Sequence, residues 1–265
     1  MDNCKQPTDN DESGADERFH CLEYLDDDFP YYNGKPVGLS GKQWLLLMLG
    51  VLAGFLVLIA PLPLFAGNIG QFIPATLFFA IPLATLACIT PQHWTALLRR
   101  VTGRDIKWMI LFALLNIVVT MVIGLVVMKT LGTHSNPVFA GMATQTPVEH
   151  LLFFLKTLPQ LLGEEVLTIL PFLALMTFLN TRLHWSRKGT IVGAWLLSAL
   201  LFGAAHLPTY DWNMVQAFVV IGSARLVLLL PYIMTKNIWV STGAHILNDW
   251  TLFIIALLGA IPPGH

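Results

Sequence analysis

The sequence predicts an all-α fold, a polytopic bundle of transmembrane helices preceded by a polar N-terminal tail. Three observations predict it. The 265 residues are 55% hydrophobic and only 12% charged, about half the charged share of an ordinary soluble domain. The mean hydropathy is +0.65, which on a water-facing globule would leave large sticky patches. Apolar runs long enough to cross about 30 Å of hydrocarbon recur along the chain.

The tail comes first. Residues 1–42 hold ten of the sixteen acids against four bases, and the remainder is net positive. With no basic stretch leading into an apolar one, this start does not read as a cleavable signal peptide. It reads as an acidic, flexible tail whose Phe29, Tyr31 and Tyr32 can dock at the membrane interface. Asp26-Asp27-Asp28 lacks the ligand spacing of a calcium loop. Residues 43–265 form the membrane domain.

Within that domain the apolar runs lie at about 44–66, 73–92, 108–131, 151–180, 189–207, 214–234 and 238–261. The fourth is long and contains Pro159, Glu164 and Glu165, so it is expected either to kink or to divide, giving eight spans. Seven is preferred on charge. Lys and Arg fall in the connections 93–107, 181–188 and 235–237 and are missing from 67–72, 132–150 and 208–213. This alternation places the N-terminus in the cytoplasm and His265 outside. Trp44, Trp94, Trp108, Trp185 and Trp212 near span ends suit an aromatic belt. Cys4, Cys21 and Cys88 make no metal or disulfide pattern, and Cys88 reads as a small packing residue. No phosphate loop, nucleic-acid stripe or internal repeat is present, which argues against nucleic-acid partners.

Function is read from the polar residues that remain in lipid. After residue 42 there are six acids, three of them inside apolar spans: Glu164, Glu165 and Asp249. An ionisable group at that depth costs about 2.5–3.5 kcal/mol on insertion scales and marks a functional site by default. Neighbours on a helix are 100° apart, so one glutamate faces the site and the other supports it. His206 ends Leu200-Leu201-Phe202-Gly203-Ala204-Ala205-His206, whose small residues permit close helix approach. His245 is followed by Asn248 and Asp249 on the same helix face. His93, His134, His150, His184 and His265 fall in loops or at span ends and read as solvated. A carboxylate pair, two histidines and an amide–carboxylate pair from three spans suffice for activating water.

Glu164-Glu165, Phe202-x-x-x-His206 and His245-x-x-x-Asp249, in that order in consecutive membrane segments, resemble the three motifs of the CAAX-protease and bacteriocin-processing family of intramembrane proteases. Asn237-Ile238-Trp239 and Gly243-Ala244 are similar to the lead-in of its third motif. The likeness covers roughly residues 150–260. Eukaryotic members of that family process prenylated proteins, and bacterial members are proteases or bacteriocin-immunity proteins. The resemblance implies an intramembrane endopeptidase acting on a membrane-associated, prenylated or hydrophobic polypeptide in the lipid bilayer, in the inner membrane if the cell is bacterial. It implies that Glu164 is the general base for water, that His206 helps to hold that water, and that His245 and Asp249 stabilise the oxyanion or bind metal. Two chemistries stay open: a divalent ion such as zinc held by Glu164, His206 and His245, or direct activation of water without metal. A non-catalytic immunity or scaffold protein of the same fold is the alternative, and a proton- or ion-coupled transporter the third.

The sequence departs from the family pattern at two places. The arginine usual four residues after the second glutamate is here Ile169, and Arg225, inside Gly222-Ser223-Ala224-Arg225, is the cation available to replace it from another helix. An ionised Asp249 cannot donate to an oxyanion, so it must be protonated, bind metal, or leave that role to Asn248. On helical rise, Glu164 and His206 both lie about 27 Å from their basic anchors Arg182 and Lys188, but His245 lies only about 13 Å from Lys236. An unwound Ser241-Thr242-Gly243, a tilted last span, or a loop around Lys236 that does not sit at the membrane boundary is expected to account for the difference.

Overall fold

The computed structural model describes residues 18, 19, 22, 23, 27–142 and 144–259. Cys4, Cys21, Asp26, most of the acidic tail and His265 lie outside the described residues. Among the described residues the chain has helices and no strand: α1 (Gly41–Ile59), α2 (Gly67–Gly70), α3 (Phe72–Ile89), α4 (Gly103–Leu131), α5 (Pro137–Met142), α6 (Pro147–Leu183), α7 (Arg187–Ala205), α8 (Gly222–Thr235) and α9 (Ile238–Leu257). A π-helical turn, Gln216–Ile221, leads into α8. Seven of these segments are long and apolar enough to span a membrane, α2 with α3 counting as one and the π-turn with α8 as another.

Local chemistry sets the starts. Ser40 with Gln43, Thr102 with Asp105 and Thr146 with Glu149 form capping boxes at α1, α4 and α6, each satisfying two backbone N–H groups that the helix cannot. α6 runs unbroken through Pro159 and Pro171, so the fourth span is one helix of 37 residues. It can absorb both prolines because it is the central helix, packed on α1, α3, α7 and α9. α4 lies on the far side against α8 and α9. The outward faces of α1 and α4, including Leu49, Leu52, Val118 and Val122, remain exposed and apolar, as lipid requires.

Three expectations need correction. Cys88 is exposed on α3 and does not pack in the core. Trp44 is buried among core residues, while Trp185 and Trp212 stay exposed near span ends. Ser241-Thr242-Gly243 is helical, the Ser241 and Thr242 hydroxyls donating to Ile238 O. The depth count failed because Lys236 does not mark the water boundary: its side chain is wholly buried, 3.6 Å from Glu23.

Glu23 belongs to a segment that crosses one end of the bundle. Phe29 and Tyr31 are at most 1% exposed, and Phe29 packs edge-on against Phe172 of α6. Arg187 donates to both Glu23 oxygens at 2.9 and 2.5 Å and to Asp28 at 2.7 Å, and Arg99 pairs with Asp27. Burial alone raises the Glu23 pKa, but the Arg187 hydrogen bonds, the Phe19 N–H and the charges of Arg187 and Lys236 outweigh it and hold the carboxyl below its ordinary value.

Candidate active site

The two adjacent glutamates of α6 separate by environment. Glu165 is 0% exposed and points at α8 and α9. Its Oε1 accepts from Arg225 Nη2 at 2.6 Å and meets His245 Nδ1 at 2.9 Å. Glu164, partly exposed, turns toward the opposite ring nitrogen, its Oε2 lying 3.8 Å from His245 Nε2. Asp249, one turn along α9, lies 3.7 Å from the same Nε2. His245 is thus set between a carboxylate that anchors its back and two that face its front.

The anchoring fixes the ring's chemistry. An ionised carboxylate only accepts, so Nδ1 carries the hydrogen toward Glu165, and Nε2 is left for whatever occupies the space before Glu164 and Asp249. Arg225 reaches this point from α8 and stacks its guanidinium 4.9 Å from the Phe202 ring. The cation that Ile169 does not supply therefore comes from another helix, and Ile169 itself is fully buried core.

His206 sits just past the last turn of α7, where Pro208 prevents the helix from continuing. Its Nδ1 bonds Phe202 O at 2.9 Å, which requires a hydrogen on Nδ1 and leaves Nε2 as the free ring nitrogen. It lies within electrostatic reach of Asp249. The approach of α7 to the π-turn is close: a Cβ on Gly203 would fall 2.6 Å from Ala217 O.

Asn248 is committed to its neighbours. Its Nδ2 donates to Asp249 Oδ1 at 2.8 Å, and its Oδ1 accepts from Asn116 Nδ2 of α4 at 3.0 Å. Asn116 was absent from the sequence-based site, although it is the one amide within the apolar run of α4. Lys156 and Gln160 were absent too. Lys156 donates to Gln160 Oε1 at 2.9 Å, and Gln160 Nε2 donates to Glu164 Oε1 at 3.3 Å. Their spacing of four residues on one helix face was the readable signal. Tyr210, between α7 and the π-turn, is also near. Burial, together with the negative charges of Asp249 and Glu164, pushes its hydroxyl up to about 12 against the opposing hydrogen bond from Asn136.

Of the histidines read as solvated, His150 instead contacts Met142 O through Nε2 at 2.9 Å. Among the described residues no group of three His, Cys, Asp or Glu side chains is arranged to hold a metal ion. The site as it stands is a set of hydrogen-bonding and ion-pairing groups from α4, α6, α8 and α9, with His206 at the end of α7.

No curated protein and no solved structure matches the chain. A protein-family model does match, over the stretch that contains every one of the motif residues. Residues 146–251 match the family described as type II CAAX prenyl endopeptidase Rce1-like, the family of membrane proteases that the three motifs resemble.

Proposed function

We propose that this chain is an intramembrane endopeptidase in which Glu164 activates the attacking water. The observation that carries the reading is the division of labour between adjacent carboxylates. Glu165 is consumed by Arg225 and His245 Nδ1, whereas Glu164 faces His245 Nε2 at 3.8 Å, too long for a direct bond and suitable for a water or a substrate oxygen between them.

In the reaction, Glu164 takes a proton from water as the water oxygen attacks the scissile carbonyl carbon. Negative charge develops on the carbonyl oxygen. His245, when doubly protonated, donates from Nε2 to that oxyanion while Glu165 stabilises the imidazolium through Nδ1. His206 Nε2 helps to hold the water. Glu164 then delivers its proton to the amide nitrogen, the C–N bond breaks, and a carboxylic acid and an amine leave, the acid passing its proton on to the amine or to solvent. Asp249 and Asn248 orient His245, Asp249 being too firmly an acceptor when ionised to stabilise an oxyanion itself. None of these steps calls for a metal ion. The substrate is a membrane-associated polypeptide entering from lipid. By the positive-inside rule we place the segment carrying Glu23, together with Arg99 and Arg187, on the cytoplasmic side.

The test is a comparison of new protein termini in cells expressing the wild type or Glu164→Ala at matched abundance. Fragments confined to the wild type are expected. Identical profiles would transfer the reading to a non-catalytic scaffold.

A further inference from the structure

A second cluster of charge lies at the end of the bundle that the Glu23 segment crosses. Arg99, Arg100 and Arg104 line a cavity of about 460 Å³ between the start of α4 and the connection from α8 to α9, within the size range of small-ligand sites. Asn237, which also lines it, precedes His245 by about 12 Å of helical rise. Thr235 and Asn237 are buried, neutral and already bonded: the Thr235 hydroxyl donates to Pro231 O at 2.6 Å, and Asn237 Nδ2 donates to Arg99 O at 3.3 Å. Among the described residues lining the cavity Asp105 is the one acid. Its carboxylate caps α4, accepting from the Thr102 N–H and hydroxyl at 2.7 and 2.8 Å. Asp27 pairs with Arg99. Arg100 is exposed and joins no ion pair among the described residues. Three guanidiniums thus stand against two carboxylates, and the cavity keeps an excess of positive charge.

The surface next to these arginines is apolar. Ile106, Ile110 and Leu114 are all exposed on α4, and their spacing of four residues makes one stripe running away from Arg104 along the helix. Trp239, at the same end of α9, is exposed as well, as interfacial aromatics are. A soluble phosphate would use the guanidiniums alone. A phospholipid uses both features, its phosphate among the arginines and an acyl chain along the stripe. Planar guanidinium forks match phosphate oxygens bidentately, and basic pockets between helices at the cytoplasmic surface suit anionic headgroups. We propose that this cavity binds the phosphate of an anionic phospholipid through Arg100 and Arg104, with Arg99 held beside them by Asp27. A zwitterionic lipid binds less well, because it carries its own ammonium in among the arginines.

Native mass spectrometry of the purified full chain tests this, with phosphatidylglycerol, phosphatidylcholine, inorganic phosphate and glycerol phosphate as probes. One phosphatidylglycerol per chain is expected to be retained, and more tightly than phosphatidylcholine. Arg100→Gln combined with Arg104→Gln should weaken its binding about tenfold, as loss of charge-assisted hydrogen bonds implies. Arg182→Gln combined with Lys188→Gln removes two other exposed cations and should change binding less than about twofold, as screened surface charges do. Equal weakening in the two double variants overturns the site, by showing attraction to surface charge in general. Equal retention of the two lipids by the wild type also overturns it, and that comparison decides the matter if the arginine variant does not accumulate. Inorganic phosphate or glycerol phosphate that displaces phosphatidylglycerol at equal concentration makes the soluble anion the ligand and overturns the lipid.

Discussion

Arg225 of α8 donates from Nη2 to Glu165 Oε1 of α6 at 2.6 Å, with both side chains wholly buried. The pair also orients His245, since the same Oε1 meets Nδ1. Removing the cation leaves an uncompensated carboxylate in the bundle, a change that typically costs about 3–5 kcal/mol. Arg225→Leu is therefore expected to lower the thermal unfolding temperature in detergent sharply and to abolish cleavage. Residue 169 is one helical turn from Glu165, so adding Ile169→Arg to Arg225→Leu should recover part of the stability. A single variant that melts with the wild type would show that the pair does not hold the site.

Glu164 and Glu165 should respond differently to neutralisation. Glu164→Gln keeps the side-chain shape and its partner Gln160 while losing the base, so cleavage is expected to fall by about 10²–10⁴ with little change in stability. Glu165→Gln should weaken both, because it breaks the ion pair. Equal loss of stability in the two variants would mean that Glu164 is structural.

Much of this site could be read from the sequence, for a physical reason. Charges are so costly in lipid that each acid or base in an apolar span must have a partner, and Arg225 was the cation available to Glu165. Seven spans followed from apolar length together with the alternation of Lys and Arg in the connections, which decided against dividing the fourth. What escaped was set by tertiary contact. Phe29 and Tyr31 look like interfacial aromatics until Phe172 and Tyr232 cover Phe29. Asn116 is one amide in α4 until it meets Asn248 across the bundle. Depth counting from Lys236 failed because a lysine held by an acidic neighbour need not reach water.

Acid should loosen the end of the bundle where Glu23 lies. Its folded pKa is held below the ordinary value near 4.5, so the stabilisation is present above that value and is lost as pH falls through the folded value. Thermal unfolding measured from pH 7 to pH 3 is expected to show declining stability below about pH 4.5. Glu23→Gln should be less stable at neutral pH and flatter in acid. A steeper acid limb in the variant would contradict the linkage.

Chelation tests the chemistry of the water. Because the described His, Cys, Asp and Glu side chains form no group of three that could hold a metal ion, dialysis of the purified protein against a strong chelator should leave cleavage unchanged. Elemental analysis should find less than one zinc ion per chain. Activity that disappears on dialysis and returns with added zinc would overturn direct activation by Glu164 and favour a hydrolytic metal centre.

Two glycines near the histidines should tolerate alanine unequally. At Gly203 the new Cβ would fall 2.6 Å from the backbone oxygen of Ala217, whereas at Gly243 it would meet the Met109 sulfur at 2.5 Å. Methionine can change rotamer, but a carbonyl inside a helical turn moves only with its segment. Gly203→Ala is therefore expected to cost about 1–3 kcal/mol, the usual range for overpacking, and to push α7 away from the π-turn. His206 follows Gly203 by three residues, so cleavage should fall further than the loss of folded protein explains. Gly243→Ala should remain close to wild type in both. Thermal unfolding and cleavage rate measured on the same preparations check the order, and a Gly243 variant that is the more damaged of the two would show that the α4–α9 contact, and not the α7 approach, is the rigid one.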